Sequence, residues 1–137
     1  MAYVAKHRFA RISATKVRPV ARLIQGMPVI LALETLKFNP KRGASLIDKV
    51  LRSALSNAGV NPDELVHRRR GGSSAPASAK ADSEAATMIV SSVRIDGGPV
   101  APGTKRFIPV SRGMAHPIRK RMSHITVTVE QTSTQEE

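Results

Sequence analysis

The sequence contains no cysteine and no tryptophan, and it has only one tyrosine and three phenylalanines. The absence of cysteine excludes disulfides and thiolate metal sites. Hydrophobic residues make up 41% of the 137 positions, so aliphatic side chains must fill the one modest core expected of a single domain. No stretch approaches the roughly 18 consecutive apolar residues that a membrane span requires. The N-terminal residues also lack the apolar core of a signal sequence, which predicts a cytoplasmic protein.

Acidic residues are also few. The chain carries 22 Lys and Arg against 10 Asp and Glu, which gives a formal net charge of +12. Such an excess would repel itself in a compact fold unless a polyanion neutralised it, and nucleic acid is the usual polyanion for a small basic protein. Binding to a membrane surface would require a basic amphipathic helix with bulky apolar anchors, and the sequence has none. We therefore expect a nucleic-acid partner and no membrane partner.

The sequence offers little for catalysis, which requires a clustered acid, base, nucleophile or metal. The four histidines are His7, His67, His116 and His124. They are scattered among basic residues with no i, i+4 spacing, so we expect surface or RNA-contact histidines and no metal. Neither Gly71–Gly72 nor Gly97–Gly98 opens a helix as a phosphate-binding loop would. We predict no catalytic residue, no metal site and no cofactor.

Hydrophobic periodicity predicts three helices in the first half of the chain. The first follows a cap at Ser13 or Thr15 and ends at Gly26. The second begins at Pro28 with the sequence VILALETLKF, and the third covers about residues 43–58. The second helix is apolar almost all round, which predicts that it is the most buried of the three. The apolar stripe of the first helix consists of Val17, Val20, Ala21 and Ile24.

Alternation of apolar and polar residues predicts a strand over residues 3–11 and two more in TMIVSSVRI and HITVTVE. Residues 96–123, which separate the last two strands, are rich in Gly, Pro and basic residues. Because a structureless loop of that length is unusual in a compact domain, we predict that both strands continue outward as an extended ribbon with its apex near residue 108. An isolated two-stranded ribbon is barely stable in water, so we expect a partner to enclose this arm.

The expected organisation is one domain over residues 1–130. It includes the arm at 96–123 and a flexible insert at 67–86, which is rich in Ser, Ala and Gly and lacks a hydrophobic period. Residues 131–137 are expected to form a disordered acidic tail. The arm should be separable from the domain, so deletion of residues 100–112 is predicted to leave the domain folded.

Basic residues concentrate in two blocks near the two ends of the chain, as expected for a binding face built from both ends. Lys and Arg bind phosphate by charge, and Arg adds planar and stacking contacts suited to folded RNA. The predicted RNA-binding residues are Lys6, Arg8, Arg11, Lys16, Arg18, Arg22, Lys41, Arg42, Lys105, Arg106, Arg112, Arg119, Lys120 and Arg121.

Two long stretches resemble a known family, the bacterial type of large-subunit ribosomal protein L-twenty-two. The first stretch is ARISATKVRPVARLIQGMPVILALETLKFNPKRGASLIDKVLRSALSNA. The second is VRIDGGP followed by KRFIPVSRGMAHPIRKRMSHITVTVE. The runs KVRPVARLIQG and IRKRMSHITVTV are the most specific parts. Gly98–Pro99 and Lys105–Arg106 enclose VAPGT, a longer stretch than the family usually has, and Val110 and Met114 stand where the family more often has Arg.

The resemblance implies an α+β fold in β-α-α-α-β-β order, with a small antiparallel sheet packed on three helices and a long protruding β-hairpin. It implies a non-enzymatic structural constituent of the large ribosomal subunit that binds several domains of the large-subunit RNA and aids its assembly. In the family, the hairpin lines the polypeptide exit tunnel, beside neighbouring ribosomal proteins and the nascent polypeptide. The expected tip residues here are Lys105, Arg106, Phe107, Ile108, Pro109 and Arg112. No homo-oligomer is expected, and the location is the cytoplasmic ribosome.

Two other functions are weighed against this interpretation. An architectural DNA-binding protein with a β-ribbon arm could use Pro109 as a wedge near the tip, and it would prefer duplex DNA to structured RNA. An enzyme acting on RNA would need a convergent acid–base pair, and the sparse histidines and carboxylates disfavour it.

Overall fold

The computed structural model describes residues 1–61, 87–103 and 106–131. The elements in chain order are β1 (Ala2–Ala10), α1 (Ala14–Ile24), α2 (Val29–Phe38), α3 (Arg42–Asn57), β2 (Met88–Val100), β3 (Arg106–Pro109), β4 (Ala115–Ile118) and β5 (Arg121–Gln131). This is the predicted α+β fold, with the final hairpin divided into inner and outer strand pairs. The predicted insert at residues 67–86, Lys105 and the tail beyond Gln131 lie outside the described residues.

The main sheet places the two ends of the chain side by side. Its order is β1–β5–β2, and β5 pairs antiparallel with both neighbours. In β5, the side chains of Ile125, Val127 and Val129 are fully buried, whereas Thr126 and Thr128 between them are half-buried on the other face. The alternation predicted from HITVTVE is confirmed. The sheet therefore has an inner face against the helices and an outer face that carries polar side chains.

The three helices cover the inner face of the sheet, and each of them buries one side against it or against its neighbours. The predicted stripe of α1 is buried in full: Val17, Val20, Ala21 and Ile24. In α2, four of the ten residues are buried, against seven of sixteen in α3 and four of eleven in α1, while Leu31 is 49% exposed and Phe38 is 84% exposed. The helix is therefore buried on one side only, although its sequence is apolar almost all round. The physical reason is position: α3 packs on β1, β5 and both other helices, whereas α2 lies beside α3 at the margin.

Hydrogen bonds between segments that are distant in sequence fix the helices to the sheet. The connection between α1 and α2 is held to β2 by two hydrogen bonds, since the Gly26 N–H donates to the Val90 carbonyl (2.8 Å) and the Val90 N–H donates to the Met27 carbonyl (3.0 Å). The Asn57 side-chain amide donates to the carbonyl of Val4 (3.2 Å), which ties the end of α3 to β1. Ser13 stands at the cap position of α1 as predicted, but its side chain makes no capping hydrogen bond.

The predicted arm is present and begins where β1 ends. Ala10 is the last residue of β1 to pair with β5, so only β2 and β5 continue outward, and the Ala101 N–H donates to the Lys120 carbonyl (2.8 Å). Beyond this point β3 pairs with β4, and the chain reverses at Ser111–Gly113. Arg112 at the apex has a φ of 61°.

The predicted apex near residue 108 is therefore wrong, since the chain reverses at Ser111–Gly113. The reason is that the two sides of the arm are unequal in length. Val100 pairs with Arg121, and the next described pair is Arg106 with Ile118. Between these two pairs, the β2 side of the chain has the five residues 101–105 and the other side has only the two residues 119–120. The additional residues on the β2 side move the point of reversal towards the C-terminus. They coincide with the VAPGT segment that sets this sequence apart from the family pattern.

Candidate nucleic-acid interface

Every predicted RNA-binding residue that the structure describes is exposed. Lys105 lies outside the described part of the chain. The remaining cations fall into three groups on different surfaces: the N-terminal ends of α1 and α3, the outer face of the sheet, and the arm. The exposed face of α1 adds Arg18 and Arg22 to the first group, and Arg11 lies just before that helix.

The first group lies where α1 and α3 approach each other. Lys16 is in the first turn of α1, Lys41 precedes α3 and Arg42 opens it, and neither first turn contains an acidic residue. Gly43 allows the close approach, since a Cβ on this residue would lie 3.5 Å from the Cα of Val17. Cations at helix N-termini oppose the helix dipole, and an anion such as phosphate would relieve that unfavourable interaction. This arrangement suits binding of a polyanion.

The second group lies on the outer face of the sheet. Lys6 of β1 is opposite Thr126 of β5, and Thr126 is opposite Arg94 of β2, so the two cations flank a threonine in one cross-strand row. Arg8 follows on the same side of β1. Arg94 is not among the RNA-binding residues predicted from the sequence. Its alternation with the buried Ile95 indicates an outward side chain, but only the register of the sheet places it beside Lys6.

The third group lies along the arm, where cations alternate with exposed apolar residues. All four residues of β3 are exposed, including Phe107 at 64% and Ile108 at 56%. Met114 beside the apex is 70% exposed. The cations of this group are Arg106, Arg112, Arg119, Lys120 and Arg121. A surface of this composition leaves apolar area in water, which indicates contact with a partner.

All three phenylalanines of the chain are more than half exposed: Phe9, Phe38 and Phe107. Phenylalanine is normally among the more buried residue types, and here the core is aliphatic. The few aromatic rings thus lie at the surface, where they can stack on bases or pack against apolar groups. Phe9 and Phe38 were not predicted as site residues, because the sequence shows only that aromatic residues are few.

A β-bulge in β1 shapes a depression on the outer face of the sheet. His7 pairs with Ile125 and Ala10 pairs with Ser123, so Arg8 and Phe9 together oppose the single residue His124. The Phe9 N–H donates to Nδ1 of His124 (3.0 Å), and the Phe9 ring meets the imidazole edge-on, with 4.9 Å between ring centroids. The cavity measures about 280 Å³.

The bulge holds Phe9 in an unfavourable backbone conformation. Its φ of 59° lies in the left-handed region, which an aromatic residue adopts at a cost of order 1–3 kcal/mol. The hydrogen bond and the ring contact with His124 offset part of that cost. Bulges and strained residues of this kind are frequent beside binding sites, where they redirect side chains. The bulge directs Phe9 away from the core, which explains the exposure of its ring.

Within residues 1–61, 87–103 and 106–131, no group of three His, Asp or Glu side chains lies close enough together to hold a metal ion. No helix in the same residues has the length and apolarity to cross a membrane. The fold and its surfaces define a basic α+β binding domain with an extended β-hairpin arm.

Comparisons with known proteins identify the family. The family described as "Ribosomal protein L22p/L17e" matches residues 5–68 and 73–130. "Large ribosomal subunit protein uL22" of Rhodopirellula baltica is 43% identical over 123 residues, covering 90% of this chain and 89% of the relative. The protein of the same name from Akkermansia muciniphila is 42% identical over 123 residues, covering 90% of each chain.

The chain belongs to the ribosomal protein L22p/L17e family. The resemblance inferred from the sequence is confirmed. As a member of this family the chain is a structural constituent of the large ribosomal subunit, not an enzyme, and its place is the ribosome in the cytoplasm.

Proposed function

We propose that the chain binds large-subunit ribosomal RNA through its three groups of cations, and that its arm lines the polypeptide exit tunnel. The arm is the observation that carries the proposal. Its outer strands β3 and β4 pair only with each other, and seven of their eight residues are exposed. A two-stranded ribbon with exposed apolar side chains is stable only when a partner surrounds it.

Folded RNA is the partner that fits the charges. The cations occupy the α1–α3 ends, the outer sheet face and the arm, so one flat ligand would not reach all of them at once. RNA of several domains that wraps the protein would do so, and Arg contacts phosphate and base edges together. This distribution also supports the predicted role in assembly, because one protein would connect separate RNA segments.

The architectural DNA-binding alternative is less well supported. Such proteins insert a β-ribbon into a duplex and commonly bend it with an apolar wedge. Pro109 lies in β3, three residues before the apex at Arg112, so it is not at the extreme tip where a wedge acts. Family membership adds support for the ribosomal interpretation.

Sedimentation of the tagged chain in lysate tests RNA binding. We expect the chain to co-migrate with large subunits at high salt, because many phosphate contacts resist counterion competition together. The variant Lys41→Gln/Arg42→Gln should dissociate at lower salt, since about two phosphate contacts are lost. The matched control is Lys37→Gln/Lys49→Gln, which removes the same charge outside the predicted set. Migration with free or DNA-bound material, or equal release of both variants, would contradict the proposal.

Photocrosslinking tests the tunnel role separately. A photoreactive amino acid at Met114, beside the apex, should crosslink to a radiolabelled nascent polypeptide in stalled ribosomes, because the apex would face the tunnel. The same group at Leu31 on α2 is the control and should give no nascent-chain product. Crosslinks to the nascent chain from Leu31 but not from Met114 would contradict the tunnel assignment while leaving RNA binding intact.

A further inference from the structure

The depression at the β1 bulge combines an aromatic ring, a hydrogen-bond acceptor and cations in one small volume. Its lining includes Lys6, Arg8, Phe9, Asp96, His124 and Thr126. These residues come from three strands, β1, β2 and β5, which the sheet brings side by side. At about 280 Å³, the cavity is just below the roughly 300–1,000 Å³ of pockets that hold drug-sized ligands. It therefore suits a single nucleobase rather than a larger group.

The hydrogen bond from Phe9 determines which atom of His124 can contact a ligand. Because the Phe9 N–H donates to Nδ1, that nitrogen carries a lone pair, and the neutral ring bears its proton on Nε2. His124 thus offers an Nε2–H donor and is held in position by the edge-on ring of Phe9. The bulge fixes both aromatic groups before any ligand arrives, which lowers the entropy lost on binding.

Asp96 supplies an acceptor that is only loosely engaged. Its Oδ2 lies 3.6 Å from a terminal nitrogen of Arg94, beyond hydrogen-bonding distance, and both side chains are more than half exposed. An exposed ion pair of this kind is weak, so a ligand can replace Arg94 at the carboxylate at little cost. Asp96 is opposite His124 in the sheet, so the acceptor and the imidazole are neighbours.

The chemistry of these groups selects one kind of base. A carboxylate accepts hydrogen bonds with two oxygens, and the guanine edge presents two adjacent donors, N1–H and the N2 amino group. The exposed face of Phe9 provides a surface on which an unstacked base can stack, and Lys6 and Arg8 are suited to the adjoining phosphates. Uracil and adenine lack the paired donors that a carboxylate would engage.

We infer that the depression at the β1 bulge binds one unstacked guanine of the large-subunit RNA, with Asp96 on its N1 and N2 donors and Phe9 against its ring. This inference rests on the proposed RNA binding and adds a specific site at the root of the arm. The bulge then has a function: it turns Phe9 outward beside the acceptor on the neighbouring strand.

Chemical probing of assembled subunits tests the site. Large subunits containing the wild-type chain, Asp96→Asn or Phe9→Leu are treated with a glyoxal reagent that modifies N1 and N2 of accessible guanines. We expect one guanine that is protected by the wild type to become about tenfold more reactive in both variants. Asp96→Asn removes the bidentate contact and Phe9→Leu removes the stacking surface, and each loss has an effect of this order. Glu130→Gln, which removes one carboxylate from β5 outside the depression, is the matched control and should leave that guanine protected.

The possible outcomes distinguish failure of the guanine site from failure of the proposed RNA binding. Asp96 is more than half exposed, so its substitution leaves the core intact, and incorporation of each variant is verified by sedimentation. An identical guanine pattern in all four subunit preparations would overturn the guanine site while RNA binding stands. A change confined to adenines or cytosines, detected with dimethyl sulfate, would also overturn it. Absence of the wild-type chain from large subunits would overturn both proposals.

Discussion

The inner and outer parts of the final hairpin share an antiparallel backbone and differ in their surroundings. In the inner part, Val127 and Val129 of β5 are completely buried under the helices. In the outer part, every residue of β3 is exposed. Burying one such aliphatic side chain contributes roughly 1.5–3 kcal/mol, whereas a cross-strand pair on an exposed ribbon contributes about 0.2–1 kcal/mol. We therefore expect the domain to fold by itself and the outer part of the hairpin to depend on a partner that encloses it.

Truncation of an aliphatic side chain should lower the free energy of unfolding much more in the helix-covered domain than in the outer part of the hairpin. Leu51 in α3 is fully buried, so Leu51→Ala removes packing and is expected to lower the free energy of unfolding by about 2–5 kcal/mol. Ile108 is 56% exposed in β3, so Ile108→Ala should change it by less than about 0.5 kcal/mol. Urea denaturation of the isolated chain measures both. Comparable losses would show that the arm contributes to the folded core.

A substitution at the junction between the inner and outer parts of the hairpin should destabilise the domain by an intermediate amount. Gly98 lies in a bulge of β2, and a Cβ there would lie 3.1 Å and 3.2 Å from the backbone carbon and oxygen of Met122. Because the backbone of Met122 would have to shift by a few tenths of an ångström to admit the methyl group, Gly98→Ala is expected to destabilise the domain by about 1–3 kcal/mol. Gly97→Ala is the control, since nothing lies within 4 Å of its added methyl. Equal thermal shifts for the two variants would contradict the close-packed junction.

Removal of the outer arm should have the smallest effect on the domain. Ala101 and Lys120 are joined by a hydrogen bond of 2.8 Å, so residues 102–119 can be replaced by Asn-Gly, which favours a two-residue hairpin turn. We expect the free energy of unfolding to stay within about 1 kcal/mol of the wild-type value, because an exposed ribbon adds little stability. Loss of the cooperative thermal transition would contradict the expectation that the domain folds without the outer arm.

This replacement supersedes the sequence-based proposal to delete residues 100–112. That deletion assumed an apex near residue 108, whereas the chain reverses at Ser111–Gly113. Deleting residues 100–112 would remove one side of the arm with the turn and leave β4 without its partner strand. The position of the apex depends on how many residues each side accommodates between its pairs, and local sequence patterns do not encode that number.

The sequence by itself determined the helices, the faces of the strands and the excess of positive charge. Periodicity at Val17, Val20 and Ile24 and alternation at Ile125 and Val127 arise from local geometry, since side chains repeat every 3.6 residues in a helix and every two in a strand. Runs of specific residues were enough to indicate the family. Exposure of the cations also followed, because unpaired charges are rarely buried.

Only the tertiary structure decided the strand order, the apex and the site at the bulge. Phe9 and His124 are 115 positions apart in the chain and meet because β1 pairs with β5, while Asp96 joins them from β2. The placement of α2 at the margin likewise depends on how α3 fills the inner face of the sheet. The physical reason is that strand register and bulges depend on pairings between distant segments, and a shift of one residue turns every side chain to the other face.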